Sequence, residues 1–265
     1  MFVGLRNWRF RLVSSIVVLF FITTAVTAVE GQKRLRKIGE YDPNAQTVEM
    51  FAAIEKGDIA VKLIAKDSTE CNILIENKTD KPLNVELPKA FAGVPVLGQG
   101  FGGIDGGRGG GRTGTGTGGG NQGMGGGMGG MGGGMFCVPP EKVGKFKLPA
   151  VCLEHGKDEP RAAIPYEIKP IESFTTKAGV RETCEMLGMG QLDQRAAQAA
   201  AWHLNCDMSW EELAAKRIRH ANGSTEPYFS PVEIQAGMTI AATAVKTAKE
   251  REEEKAKETQ EYPNQ

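Results

Sequence analysis

The sequence lacks an excess of charge of either sign, since Lys and Arg together number 32 and Asp and Glu together also number 32. A net charge of zero argues against a nucleic-acid partner, because proteins that bind nucleic acids concentrate basic residues. The sequence also lacks a C-x-x-C pair, which argues against a thioredoxin-type redox centre and a ribbon-type zinc site. With 265 residues, the chain is long enough to bury a sizeable core.

The N-terminal residues 1–28 have the pattern of a secretory signal peptide. Three arginines precede an apolar run over residues 12–22, and small residues follow up to Ala28. An uncleaved membrane anchor is the alternative, but threonines dilute the end of the run, and a spanning helix needs about 20 apolar residues. No cysteine directly follows the run, which argues against a lipid anchor. We therefore expect a protein that is secreted or resides in the periplasm or cell envelope.

Export would place the cysteines in an oxidising compartment, where disulfides form and persist. Their number is odd, so at least one has no intramolecular disulfide partner; the five are Cys71, Cys137, Cys152, Cys184 and Cys206. We predict a disulfide that joins Cys152 to either Cys184 or Cys206.

After a polar lead-in over residues 29–56, the segment 57–155 has the pattern of a β-sandwich. Residues 59–65, 71–77 and 83–88 are rich in β-branched or alternating apolar residues, and turn residues separate them. Short strands joined by turn clusters are typical of a small antiparallel sandwich.

Residues 98–134 interrupt this segment with a run of glycine, scattered polar residues and repeated methionines. Glycine loses the most conformational entropy on ordering, and the run has too few apolar side chains to form a core. We predict a disordered insertion between two strands, because lengthening a loop adds little closure entropy.

The rest of the chain divides into a connector and a helical part. Prolines at steady intervals predict an extended connector over residues 156–175. Capping patterns predict a helical part over residues 176–245 and a charged helical tail over residues 246–265. The predicted caps are Thr176, Asp193, Ser209 with Glu212 in a capping box, and Ser230 before Pro231. The expected class is therefore α+β, with an N-terminal antiparallel β-sandwich and an α-helical C-terminal part.

One face of the helix after Asp193 contains Gln198, Trp202 and Cys206, which recur every four residues. The simplest interpretation of this face is packing. Trp202 would anchor the core, Gln198 would form its polar edge, and Cys206 would be a small buried side chain. Because Cys152 lies where the β-rich segment ends, we expect the face to pack against it.

The same residues resemble the thioester domains of bacterial surface adhesins. The shared pattern is a cysteine at the end of a β-segment, Val151-Cys152-Leu153, followed by Q-x-A-x-W, here Gln198, Ala200 and Trp202. The resemblance implies an internal thioester between Cys152 and Gln198 that acylates a nucleophile on a target, with Trp202 as a packing residue. The sequence departs from the family at the residues before the cysteine, the glutamine and the tryptophan, which are Val151, Ala197 and Ala201.

Most of the mature chain is also similar to a group of uncharacterised secreted bacterial proteins. The shared stretches are IENKTDKPL (75–83), a glycine-rich run, VCLEHGK (151–157) and QAAAWHL (198–204). This second resemblance implies no known activity.

Two further chemistries compete with the thioester. One alternative is a tetrahedral zinc site with two cysteine and two histidine ligands. A C-x-x-H pair, Cys152 and His155, and an H-x-x-C pair, His203 and Cys206, would supply the four ligands. A Cys/His hydrolase would use Cys152 as nucleophile and His203 or His220 as base, but no oxyanion element accompanies these residues.

We therefore predict a non-enzymatic structural or interaction protein of the cell envelope or extracellular space, without a cofactor. Its partner would be a protein or a cell surface, and contact with a membrane would be limited to an uncleaved signal segment. The covalent-attachment thioester domain is the first alternative, and a zinc-stabilised fold is the second.

Overall fold

A computed structural model describes residues 39–96, 122–127 and 134–261 of the chain. The signal segment 1–28 and most of the glycine-rich run lie outside these residues. Among the helices of the described part, none combines the length and the apolar character needed to cross a membrane.

The described residues contain both strands and helices, which confirms the α+β class. The strands are β1 (Gln46–Glu49), β2 (Ile59–Ala65), β3 (Glu70–Asn77), β4 (Leu83–Glu86), β5 (Ala90–Pro95), β6 (Met124–Gly127), β7 (Met135–Val138), β8 (Val143–Cys152), β9 (Tyr166–Pro170), β10 (Arg217–Arg219) and β11 (Thr225–Pro227). The helices are α1 (Met50–Lys56), α2 (Ile171–Phe174), α3 (Val180–Gly188), α4 (Gln194–Cys206), α5 (Trp210–Ala215) and α6 (Pro231–Glu261).

The predicted sandwich is wrong, because the main sheet closes into a barrel. Six strands follow each other in the order β2, β3, β8, β6, β5 and β9, each antiparallel to its neighbours. The barrel closes where Leu63 of β2 pairs with Tyr166 of β9. A separate sheet contains β1, β4 and β7, and β10 and β11 form a hairpin.

The alternating pattern of the strands fits a sandwich and a barrel equally well. Cys71, Ile73 and Ile75 of β3 are fully buried and belong to one core cluster with Phe146 and Leu148 of β8. Such a pattern shows which face of a strand is buried, but not which strand lies at the edge of the sheet. Closure depends on β6, β5 and β9, and the sequence predicted none of them as a strand.

Part of the predicted disordered insertion is ordered, so that prediction is wrong for residues 122–127. β6 lies between β5 and β8 and is buried along its whole length. A Cβ at Gly127 would lie 2.2 Å from the carbonyl oxygen of Cys184, and one at Gly125 would lie 2.7 Å from its Sγ. Glycine is required there because α3 packs directly against the backbone of β6.

The predicted extended connector, residues 156–175, contains the strand that closes the barrel. β9 pairs with β5 from Phe91↔Pro170 to Pro95↔Tyr166. Pro165 and Pro170 stand at the two ends of this strand, where the missing N–H of proline interrupts the ladder least. The connector is thus part of the barrel rather than a surface wrap.

Three of the four predicted helix starts are confirmed. Asp193 accepts a hydrogen bond from Ala196 N, Ser209 forms a capping box with Glu212, and Ser230 accepts a hydrogen bond from Glu233 N. Thr176 is not a cap, because α3 begins at Val180 after Gly179. Within the predicted helical part, α5 ends at Ala215, and the β10–β11 hairpin follows.

The central helix of the C-terminal half is α4. Its five alanines, Ala196, Ala197, Ala199, Ala200 and Ala201, are all 0% exposed. Small side chains let neighbouring backbones approach closely, and α4 contacts β8, α3 and α6. The helix therefore lies against the end of β8 that contains Cys152.

Candidate functional site

Polar side chains of α4 replace a neighbouring strand along the last residues of β8. The pairing of β3 with β8 ends at Pro149. Beyond it, Gln194 Nε2 donates to Ala150 O at 3.0 Å, and Gln198 binds both backbone groups of Cys152. Four residues of helix and two residues of strand both advance about 6 Å, so glutamines at this spacing meet alternate residues of β8.

Cys152 and Gln198 are therefore direct neighbours, as the packing interpretation expects. Cys152 N donates to Gln198 Oε1 at 2.8 Å, and Gln198 Nε2 donates to Cys152 O at 2.8 Å. Both residues are buried, so each backbone group would lack a hydrogen bond without the amide. The glutamine has a structural role in this arrangement.

The surroundings of Cys152 keep its thiol protonated. Burial raises the pKa of Cys152 to about 12, and the charge of Glu159 acts in the same direction. The thiolate is the nucleophilic form, so this environment does not favour a cysteine hydrolase at neutral pH. The proposed base His203 is engaged elsewhere, since its Nδ1 donates to Met208 O at 2.7 Å and its ring stacks on Trp210.

The structure does not assemble the predicted zinc ligands into one site. His155 Nε2 accepts a hydrogen bond from Lys216 Nζ at 2.8 Å, and Cys206 Sγ donates to Leu153 O at 3.2 Å. In the described part of the chain, no group of three or more His, Cys, Asp or Glu residues is placed to hold a metal ion.

All five cysteines are free thiols in this structure. Cys152 belongs to a core cluster with Trp202, and Cys206 packs against that cluster. Cys184 belongs to a different cluster, under β6. Of the two pairings left open by the sequence, the one between Cys152 and Cys206 joins residues of the same cluster. The disulfide itself stays a prediction.

An aromatic cluster, defined by Trp202, Tyr228 and Phe229, lies beside the Cys152–Gln198 pair. The ring centroid of Trp202 is 5.5 Å from that of Tyr228 and 5.9 Å from that of Phe229. Lys216 Nζ lies 5.2 Å from the Trp202 centroid and 5.1 Å from the Tyr228 centroid. Arg195 Cζ lies 5.4 Å from the Tyr228 centroid, so the cluster is flanked by two cations within cation–π range.

Sequence reasoning found only Trp202 of this cluster. Tyr228 and Phe229 directly precede the N-cap Ser230, and an apolar residue before an N-cap commonly packs onto the helix that follows. That signal marks the pair as packing residues. It does not indicate that they meet Trp202, because the contact depends on the unpredicted hairpin between α5 and α6.

Lys216 and His155 form an unusual pair beside the aromatic cluster. Burial lowers the pKa of Lys216, and burial together with the charge of Lys216 lowers the pKa of His155. The lowered pKa favours the neutral imidazole, whose Nε2 accepts the hydrogen bond from Lys216 Nζ. The His155 ring also meets Trp202 edge-on, with centroids 4.9 Å apart.

A cleft of about 260 Å³ has Tyr228 and Phe229 in its wall. Its walls include Ser68 and Thr69 from the β2–β3 turn and Gln194 and Arg195 from α4. The Arg195 guanidinium is held in place, since its Nε lies 2.8 Å from Glu233 Oε1 and its plane lies near two aromatic rings. The cleft thus combines hydroxyl, amide and guanidinium groups with an apolar wall.

No family model, curated protein or solved structure matches this chain.

Proposed function

We propose that the chain is an exported, non-enzymatic interaction protein of the cell envelope or extracellular space, which binds a protein or cell-surface partner through the cleft at Arg195 and Tyr228. The cleft is the observation that supports this proposal. Its volume of about 260 Å³ suits one side chain or one sugar unit of a larger partner. Fixed polar groups beside an aromatic wall are typical of specific recognition sites.

Two further features support a binding role over a catalytic one. The Arg195 charge is paired with Glu233, so the guanidinium can orient a polar group without adding a large net charge to the cleft. Cys152, whose backbone binds the cleft residue Gln198, has a buried thiol with a pKa of about 12, so it is protonated at neutral pH.

Export is tested by the mature N-terminus. If residues 1–28 are a cleaved signal peptide, intact mass and N-terminal sequencing of the secreted chain will give a product that begins at Val29. A product that retains residue 1 and stays with the cell membrane would show instead that the N-terminal segment is an uncleaved membrane anchor.

Binding through the cleft is tested by comparing variants on the envelope fraction of the producing cells. Arg195→Gln removes one positive charge from the cleft, and Lys246→Gln removes one from an exposed position on α6. We expect Arg195→Gln to weaken retention by about tenfold or more, as for a truncated anchor residue, and Lys246→Gln to leave it unchanged. Equal retention of both variants would contradict the proposal.

The covalent-attachment alternative is favoured by one observation, the contact between Cys152 and Gln198. Thioester formation would join Cys152 Sγ to Gln198 Cδ and release Nε2 as ammonia. The reaction would therefore remove the donor that now binds Cys152 O. The buried, protonated thiol and the loss of this hydrogen bond both oppose the reaction.

The mass of the purified mature chain under non-reducing conditions separates the two functions. A thioester makes the chain lighter by one ammonia, and methylamine opens it, which adds the mass of one methylamine and leaves a free Cys152 thiol and an N-methylated Gln198 amide. A chain of unmodified mass, or one that lacks only hydrogen pairs, leaves Gln198 as a packing residue and removes the thioester alternative.

A further inference from the structure

We propose that Lys216 is a covalent acceptor site for small carbonyl compounds such as aldehydes, with His155 as the group that takes up its proton. The proposal goes beyond the binding function and can be tested separately. Neither Lys216 nor His155 lines the cleft at Arg195.

The geometry of Lys216 carries this inference. Its Nζ lies 2.8 Å from His155 Nε2 and faces the rings of Trp202 and Tyr228 at 5.2 and 5.1 Å. Its backbone is fixed as well, because Lys216 O accepts a hydrogen bond from Tyr228 N at 2.8 Å. The amine is thus held between a proton acceptor and two apolar walls.

The physical effects on this amine oppose each other. The aromatic faces favour the ammonium form through cation–π attraction. Burial favours the free amine and lowers the pKa of Lys216, against the charge of Glu159, which raises it. A half-buried lysine with a lowered pKa exposes more free amine at neutral pH than a solvated surface lysine does.

The covalent step conserves atoms and charge. The Lys216 ammonium gives one proton to His155 Nε2, and the free Nζ lone pair adds to the carbonyl carbon, while an Nζ proton moves to the carbonyl oxygen. His155 then returns its proton to the hydroxyl group, which leaves as water as the C=N bond forms. One carbonyl compound and one ammonium become one protonated imine and one water, and no oxidant is needed.

The surroundings of Lys216 Nζ leave it accessible to a small reagent. The rings of Trp202 and Tyr228 lie 5.2 and 5.1 Å from Nζ, whereas the contact with His155 is exposed, so a small carbonyl compound can reach the amine.

Reductive trapping tests the site on the full mature chain. The protein is treated with a limiting amount of propanal and sodium cyanoborohydride at pH 7, and alkylation of each lysine is measured by peptide mass mapping. Lys246, whose side chain is 77% exposed, serves as the internal reference. We expect alkylation of Lys216 to exceed that of Lys246 several-fold, and Lys216→Arg to abolish the major adduct.

A second variant tests the role of the imidazole. His155→Phe keeps an aromatic ring against Trp202 but removes the nitrogen that faces Lys216 Nζ. We expect the ratio of Lys216 to Lys246 alkylation to fall in this variant, with a thermal melt to verify folding. A ratio at or below one in the wild-type protein overturns the proposal, whatever the variant does. An unchanged ratio in a folded His155→Phe variant removes the proton-acceptor role.

Discussion

At the scale of single residues, side chains of α4 complete the hydrogen bonding of a strand. Gln198 occupies the place that β3 leaves vacant when its pairing with β8 ends at Pro149. A buried backbone donor or acceptor without a partner costs about 1–3 kcal/mol. Position 198 therefore requires a side chain that is as long as glutamine and can both donate and accept a hydrogen bond.

Replacement of Gln198 by leucine should destabilise the protein strongly. The side chains are similar in volume, but Cys152 N and O would both lose their hydrogen-bond partners. We expect a loss of about 2–4 kcal/mol in the free energy of unfolding, measured by urea denaturation. The exposed Gln235→Leu variant on α6 should change it by less than about 0.5 kcal/mol. Similar losses for the two variants would show that the Gln198 hydrogen bonds contribute little.

The pair of His155 and Lys216 predicts a dependence of stability on pH. Folding lowers the pKa of His155 below its usual value of 6.5, so the unfolded chain binds a proton first as the pH falls. The contribution of His155 is fully present above about pH 6.5 and is lost as the pH falls from there towards the lowered value of the folded state. Thermal melts between pH 8 and pH 5 should show a smaller decrease in Tm for His155→Phe than for the wild type. Parallel pH profiles would contradict this assignment.

At the scale of elements, β6 is a strand that the amino-acid composition of its segment does not predict. Its sequence is glycine with one methionine, and such residues have low strand propensity and no alternating pattern. The strand forms because its missing side chains let α3 reach the backbone, while Met124 fills the barrel beside Gly93 and Leu63. Neither contact is visible without the positions of α3 and β5.

Two glycines of the barrel should respond differently to alanine. At Gly127 a Cβ would meet the Cys184 backbone at 2.2 Å, whereas at Gly93 it would meet only side-chain atoms of Met124 and Leu63, at 2.9 Å or more. We expect Gly127→Ala to cost about 4 kcal/mol or more, or to prevent folding, and Gly93→Ala to cost about 1–3 kcal/mol. Circular dichroism and chemical denaturation would measure the difference. Equal effects would indicate that α3 does not pack on β6 as described.

Local signals in the sequence predicted what depends on local chemistry. The caps at Asp193, Ser209 and Ser230 were found because a cap and its backbone partner lie within three residues. The packing of the Gln198 face against Cys152 was also expected, since Cys152 ends a β-segment and Gln198 shares one face of the capped helix with Trp202. The sequence does not predict that β9 closes the barrel, because prolines usually interrupt strands. It also does not predict the contact between Tyr228 and Lys216, because the unpredicted β10–β11 hairpin brings these residues together.

At the scale of the whole molecule, the barrel and the helices form one compact unit within residues 38–265. α6 packs on α4 through Ile240 and Ala241, and it is joined to α3 by an ion pair. Arg251 Nη1 lies 2.7 Å from Glu182 Oε1, and Glu182 is 4% exposed. Neither oxygen of Glu182 and neither Nε nor Nη1 of Arg251 has a hydrogen-bond partner among the described residues, so the contact is an ion pair held by the two charges.

Loss of Arg251 should loosen the C-terminal helix. Arg251→Met would leave the Glu182 carboxylate buried beside α6 without its ion-pair partner, at a cost of about 3 kcal/mol in the free energy of unfolding. This is the low end of the range for a broken buried pair, because the Arg251 side chain is itself 29% exposed. The double variant Glu182→Gln with Arg251→Met should recover part of the loss. Denaturation of the single and double variants would test the coupling, and additive losses would contradict it.

The strand inside the glycine-rich run also bears on how such a run can evolve. Runs of this kind are usually treated as spacers, in which the order of residues is free as long as composition and length are kept. Here the order matters over residues 122–127, because Gln122 donates to Lys157 O and each glycine of β6 meets a fixed neighbour. A shuffle that keeps the composition but puts methionine at position 125 or 127 would therefore place its side chain against Cys184 of α3. Such a chain should lose the barrel even though a comparison of amino-acid contents would detect no mutation.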